Sequence, residues 1–244
     1  MRIAVAFVLA LLPNFLSVWL YSRLFGFRIG SKVRLQITMF VGVKRCQIGD
    51  GAHLGYFNLF WNVEDVEIGS NARIGVFNLF RGGRKVKIGS FVTILRQNTF
   101  NSIPEPDLAN EATPILEIGD GAVVTSGHWL DFTDHISIGE CSILGGRNSS
   151  LWTHNRQRTR PISIGSHCYL GSEIRIAPGV RVAGHNIVAL GAVLMETFDQ
   201  TQCLIAGNPA RVIRPLRERD LFLVTHKTRD DLPEHADLKD LAAV

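Results

Sequence analysis

An aliphatic residue followed by Gly and then a small or acidic residue keeps returning along this chain. It stands at Ile29-Gly30-Ser31, Ile48-Gly49-Asp50, Ile68-Gly69-Ser70, Ile88-Gly89-Ser90, Ile118-Gly119-Asp120, Ile138-Gly139-Glu140 and Ile164-Gly165-Ser166, with Val182-Ala183-Gly184 as a degenerate eighth. The intervals are 19, 20, 20, 30, 20, 26 and 18 residues. The shortest equals three units of six residues, and the others are that length with insertions. A period of this size is the mark of a stacked repeat architecture. Six residues suit a short strand and a turn. One aliphatic residue per unit points inward, and Gly beside it lets the backbone turn a corner where a side chain would clash or φ must be unusual. Three units close a triangular coil, and successive coils pair as parallel strands about 4.8 Å apart. Eight coils make a prism roughly 35–40 Å long on that spacing. One coil cannot bury its own inner face, so stacking supplies the core. The sequence therefore predicts an all-β fold, a parallel β-helix.

The competing arrangement is a doubly wound α/β fold. It requires helical patterns between the strands, and none occurs between Ile29 and Val193. With 46% hydrophobic and 20% charged residues, the chain of 244 residues is neither disordered nor a multi-span membrane protein. Its net charge of +4 is modestly basic, which favours an anionic partner only weakly. The basic residues are dispersed and no nucleic-acid-binding motif is present. Cys46, Cys141, Cys168 and Cys203 form no CxxC pair and no zinc spacing, so they read as core fillers of a reduced, cytoplasmic protein.

Three parts follow in order. Residues 1–27 form an apolar N-terminal helix, uncharged from Ile3 to Ser22 but interrupted by Pro13-Asn14. Spanning a membrane, lying at its cytoplasmic face and capping the open end of the β-helix are all compatible with that stretch. Residues 28–214 carry the repeats. Tyr56-Phe57-Asn58-Leu59-Phe60 and Val76-Phe77-Asn78-Leu79-Phe80 recur one period apart, as core or subunit interface. One insertion is expected between Arg96 and Pro114, with Asn98 and Asn101 in a surface loop that also holds Pro106 and Asp107. A second lies between Ile138 and Ile164 and carries Trp152-Thr153-His154-Asn155 and then Arg156, Arg158 and Arg160. Residues 215–244 form a tail, with a short helix within Leu216 to Thr225 and a polar segment from Thr228 to Val244.

The repeats, the Thr153-His154 dipeptide in an inserted loop and the closing Gly207-Asn208-Pro209-Ala210-Arg211-Val212-Ile213 together resemble the left-handed β-helix, hexapeptide-repeat acyltransferases. Among these the surface-polysaccharide O-acetyltransferases are most similar. The resemblance runs from about Arg28 to Arg214. It implies a homotrimer, with acetyl-CoA as acyl donor in the groove between neighbouring prisms, a carbohydrate acceptor and no metal. It also implies His154 as general base, and Gly207, Asn208, Pro209 and Arg211 as part of the CoA groove. Where the family pattern has Pro or Gly after the His, this chain has Asn155, so the base carries over and the acceptor does not. Ser126-Gly127-His128-x-x-Asp131 resembles a motif upstream of that loop in some relatives, which makes His128 and Asp131 active-site neighbours.

The chemistry suits these assignments. A hydroxyl attacking a thioester must lose its proton as it attacks, and neutral imidazole, with a reference pKa near 6.5, can take it. His154 would activate the acceptor for direct transfer without a covalent enzyme intermediate. Asp131 would orient a histidine, as a carboxylate does in hydrolase triads. Trp152 and Asn155 would meet the acceptor. The Gly171 amide is the expected oxyanion donor, with Ala189 and Gly191 along the pantetheine and Arg211 and Arg214 at the CoA phosphates. N-acylation of an amino sugar uses the same base. Two readings of other classes stay open: a non-catalytic β-helix scaffold, and a γ-class carbonic anhydrase, whose close pair of zinc histidines is missing here.

Overall fold

A computed structural model describes residues 3–104 and 108–225. Two short helices are followed by a left-handed parallel β-helix of eight complete three-strand coils. Successive coils contribute one strand to each of three sheets, of eight, ten and eight strands. All pairings are parallel except the last. There the hairpin of Cys203–Gly207 and Ala210–Pro215 adds two strands to the ten-stranded sheet.

The Ile of each repeat ends a strand of the first sheet. Ile48, Ile68, Ile88, Ile118, Ile138 and Ile164 stack in register and are buried. The glycine that follows is needed for space rather than for φ. A Cβ at Gly49 would lie 2.6 Å from the Ser70 nitrogen of the next coil. The left-handed residue comes two places later, as at Asn71 (φ 57°) and Cys141 (φ 53°). The expectation of a corner at the Ile-Gly pair holds, but close stacking and unusual φ fall on different residues.

A second column holds Phe40, Phe60, Phe80 and Phe100, fully buried with ring centroids 4.4–5.0 Å apart. Beside it runs a polar ladder. The Asn58 side-chain carbonyl accepts from the Asn78 amide (3.0 Å), Asn78 from Asn98 (3.1 Å) and Asn98 from the His128 backbone (2.9 Å). These side chains satisfy corner amides that no strand partner reaches. The recurring aromatics divide accordingly: Phe60 and Phe80 are core, whereas Phe57 and Phe77 stack on each other outside. Asn98, expected in a surface loop, is 1% exposed, and regular strand continues to Asn101. The first insertion therefore begins at residue 102. Its Pro106 and Asp107 lie outside the described residues.

The single N-terminal helix is two. The helix Ile3–Leu11 ends before Pro13, which cannot continue it, and Asn14–Phe25 follows. Asn14 explains the break. Its side chain donates to Val33 O (3.0 Å) and accepts from the Leu35 amide (2.7 Å), giving the first strand of its sheet the partner an outer coil would supply. Tyr21 seals the open end, stacked on Phe27 and edge-on to Phe40. Among the described residues no helix is long and apolar enough to cross a membrane. At the other end a 3-10 helix spans Glu218–Leu223. The segment Thr228 to Val244 lies outside the described residues.

Candidate active site

Both insertions leave the prism at the same corner. One follows strand Thr99–Asn101 and the other Ser150–Trp152, and each returns into the first sheet, at Ile115–Ile118 and Ile162–Ile164. They are tied together. The Ala109 amide donates to Gln157 O (2.7 Å), and the Asn110 side chain accepts from the Thr159 amide (3.0 Å). His154 and Thr159 bridge the second loop upon itself.

Under this cover lies Asp131, 1% exposed. Its Oδ1 accepts from His154 Nδ1 at 2.9 Å and from the Thr133 amide at 3.2 Å. Thr153 fixes the base of the loop. Its hydroxyl donates to Asp131 O (2.8 Å) and accepts from the Asp134 amide (2.9 Å). An imidazole that donates from Nδ1 to a carboxylate carries its lone pair on Nε2. The His154 side chain is 20% exposed, so Nε2 can meet a substrate. Trp152 lies beside it with ring centroids 6.3 Å apart, and Trp129 stacks on Trp152 at 6.0 Å and 22°. Both indoles are 40% exposed.

His128 is placed differently. Its Nδ1 accepts from the Ser149 amide (3.2 Å), so the proton is on Nε2, which faces Thr125 Oγ1 at 2.9 Å. That hydroxyl donates in turn to Gly146 O (2.7 Å). Burial holds the ring neutral, with its pKa pushed down to about 4. His128 thus continues the asparagine ladder, and both ring nitrogens are occupied there rather than at the His154–Asp131 pair. Asn155 is a turn residue: its side-chain oxygen accepts from the Arg158 amide at 3.1 Å.

The expected cofactor residues lie along the next coils. The Gly171 amide donates to Val188 O (2.9 Å). It is not free for an oxyanion, which corrects that expectation. The parallel ladder already uses the group, and the glycine is there because a Cβ would sit 2.9 Å from the Leu190 nitrogen. The Ala189 and Gly191 amides are likewise taken, by Ile205 O and Ser172 O. Gly207, Asn208 and Pro209 form the exposed turn of the final hairpin. Arg211 pairs with Glu196 at 2.9 Å on the surface. Arg214 pairs with Asp220 at 2.6 Å, and this guanidinium holds the Asp220 carboxyl down at about 2. Neither arginine is an unpaired phosphate receptor, although the exposed Arg211 pair can exchange partners. Among the described residues no group of three His, Cys, Asp or Glu is placed to hold a metal ion.

Sequence reasoning passed over Thr153, Asp134 and Asn110. Thr153 stood in the motif without a role. Asn110 carried no signal, because its partner Thr159 is 49 residues away.

No protein-family model matches the chain. Galactoside O-acetyltransferase of Escherichia coli is 27% identical over 105 residues, which are 43% of this chain and 46% of that protein. Serine acetyltransferase 2 of Arabidopsis thaliana is 27% identical over 111 residues, 43% of this chain and 34% of that protein. The matched part thus spans less than half the length of these relatives. The crystal structure of a polysialic acid O-acetyltransferase superposes with a TM-score of 0.52 at 19% identity, over 88% of this chain and 95% of that one. In fold over most of its length, and in sequence over somewhat less than half of it, the chain is similar to the left-handed β-helix, hexapeptide-repeat acyltransferases.

Proposed function

We propose that the chain is a CoA-dependent O-acyltransferase that moves an acetyl group from acetyl-CoA to a hydroxyl of a sugar or surface-glycan precursor. The observation that carries this reading is the His154–Asp131 pair: a solvent-reaching imidazole whose tautomer is set by a buried carboxylate, beside two exposed indoles. His154 Nε2 takes the proton of the acceptor hydroxyl as its oxygen attacks the thioester carbonyl, and the thiolate of CoA then leaves with that proton. Asp131 orients the ring and stabilises its charged form. The faces of Trp152 and Trp129 give a sugar ring an apolar platform. Arg156, Arg158 and Arg160 line the same loop without an ion pair among the described residues and suit an acidic acceptor.

Acetyl-CoA as donor is favoured by the likeness to named acetyltransferases and by the surface beyond His154. There Met195, which follows the strand two coils on from Ser150–Trp152, is 67% exposed. A long, partly apolar donor could lie along such a strip, with Arg211 near its anionic end. A neighbouring prism would form the other wall, so a homotrimer belongs to the reading. Cys46, Cys168 and Cys203 are buried free thiols, which suits the cytoplasm.

The test is acetyl transfer to a panel of glycan acceptors, with donor binding measured alongside by calorimetry. His154→Ala should lose about 10²- to 10⁴-fold in kcat while binding acetyl-CoA as the wild type does. Asp131→Asn should keep donor affinity and lower kcat. Undiminished transfer by His154→Ala, or no binding of acetyl-CoA or CoA by the wild type, would refute the proposal.

A further inference from the structure

A helix that only caps a solenoid needs one apolar face, turned inward, and a polar outer face to keep the end soluble. The two N-terminal helices lack that outer face. Helix Ile3–Leu11 buries Ala6, Leu9 and Ala10 against the prism, yet Ile3, Val5, Phe7, Val8 and Leu11 are each 44–59% exposed. The following helix buries Ser17 and Tyr21 and presents Phe15 (75%), Trp19 (58%) and Leu24 (63%). Phe15, Trp19 and Arg23 are spaced by four, so they share one helix face.

The charge at this end is of one sign. No Asp or Glu occurs before Asp50, whereas seven Lys or Arg do. Lys44 and Arg45 pair with Glu64 and Asp65 of the next coil. Arg23, Arg28, Lys32 and Arg34 are exposed and make no ion pair among the described residues.

We infer that the outer face of the N-terminal helices is a docking surface for an anionic lipid bilayer, which takes Phe7, Phe15 and Trp19 into its interface and meets Arg23, Lys32 and their neighbours with its headgroups. An apolar face flanked by cations has the composition of an interfacial membrane helix. Charge decides between occupants. A second copy docked face to face would set these cations against one another, whereas an anionic leaflet attracts them all. The helices lie in the membrane plane and the coils stand away from it. His154, five coils from the first, is then roughly 24 Å along the prism on the strand spacing. The inference does not depend on the reaction catalysed.

The test is flotation of the full chain, without acyl donor, on phosphatidylcholine vesicles with and without phosphatidylglycerol. Binding to the anionic vesicles alone is expected, weakening as salt rises. Brominated acyl chains should quench Trp19, with the quenching lost in Trp19→Phe. Phe15→Ser with Trp19→Ser should reduce partitioning by more than about tenfold, from the apolar burial given up. Arg23→Gln and Lys32→Gln should each reduce it by about fivefold. Far-UV circular dichroism should stay unchanged in these variants, since none of the four side chains is buried. Absence of vesicle binding would overturn the inference, as would equal binding to pure phosphatidylcholine or full binding by the Phe15/Trp19 variant. So would self-association through this face that the same variant abolishes without any vesicle binding.

Discussion

The coils around Phe60 and Phe80 and those around Asp131 and His154 share one backbone plan, and the same positions do different work in each. Asn58, Asn78 and Asn98 occupy one corner column, and His128 occupies it one coil later. The column of Trp61, Arg81 and Asn101 continues as Asp131 in register. In the earlier coils it starts as a surface column, with Trp61 39% exposed and Arg81 exposed too, and it is already closing at Asn101 (9%). At Asp131 it is sealed, because the loop after Trp152 folds back and the loop before Ile115 holds it in place. A stacked repeat changes surface into site by a corner insertion, with the strands that carry Asp131 and Trp152 still paired in register. Loops carry function most safely where a rigid scaffold fixes both ends.

If the earlier coils are pure scaffold, truncation there should cost stability and spare chemistry. Phe80→Ala removes the middle of the buried aromatic column and should destabilise by about 3–5 kcal/mol, read by chemical denaturation. Trp152→Ala, at a ring already 40% exposed, should cost far less and act on the acceptor KM instead. Equal losses at the two positions would erase the distinction between scaffold and site.

The ladder position sharpens the comparison through pH. His128 is neutral when folded, with a pKa near 4 against about 6.5 unfolded. Below 6.5 the unfolded chain binds a proton that the folded one refuses. The stability from this group is therefore complete above pH 6.5 and is lost as pH falls toward 4, by up to about 3 kcal/mol. His128→Asn, which restores the residue of the earlier coils, should remove that slope from the pH dependence of unfolding. If the slope survives, His128 is not buried neutral in the ladder. The smallest effect belongs to the surface. Arg211→Ala breaks an exposed ion pair and should change stability by less than about 1 kcal/mol, while a role at the CoA phosphates would appear as weaker donor binding.

The fold could be read from the sequence because an inward aliphatic residue and a stacking glycine recur at fixed spacing, and that geometry needs no distant partner to be recognised. The same spacing misled at Asn98. A lengthened interval shows that residues have been added but not where the strand stops, so it does not separate a ladder residue from a loop residue. His154 stood out through the motif around it. Its hydrogen bond to Asp131 did not, since the two lie 23 residues apart and on successive coils.

Periodicity alone determined the β-helix, the number of its coils and which intervals carry insertions. Only the tertiary structure decided that the insertions meet at Asn110 and Thr159, that His128 turns into the ladder while His154 turns out, and that the Gly171 amide is already engaged. It also decided that the N-terminal apolar stretch is two capping helices with a bare outer face. The physical reason is that a repeat encodes contacts one coil away, whose spacing is fixed. A loop contact, a tautomer or an exposed face depends on which groups come together once the coils are stacked.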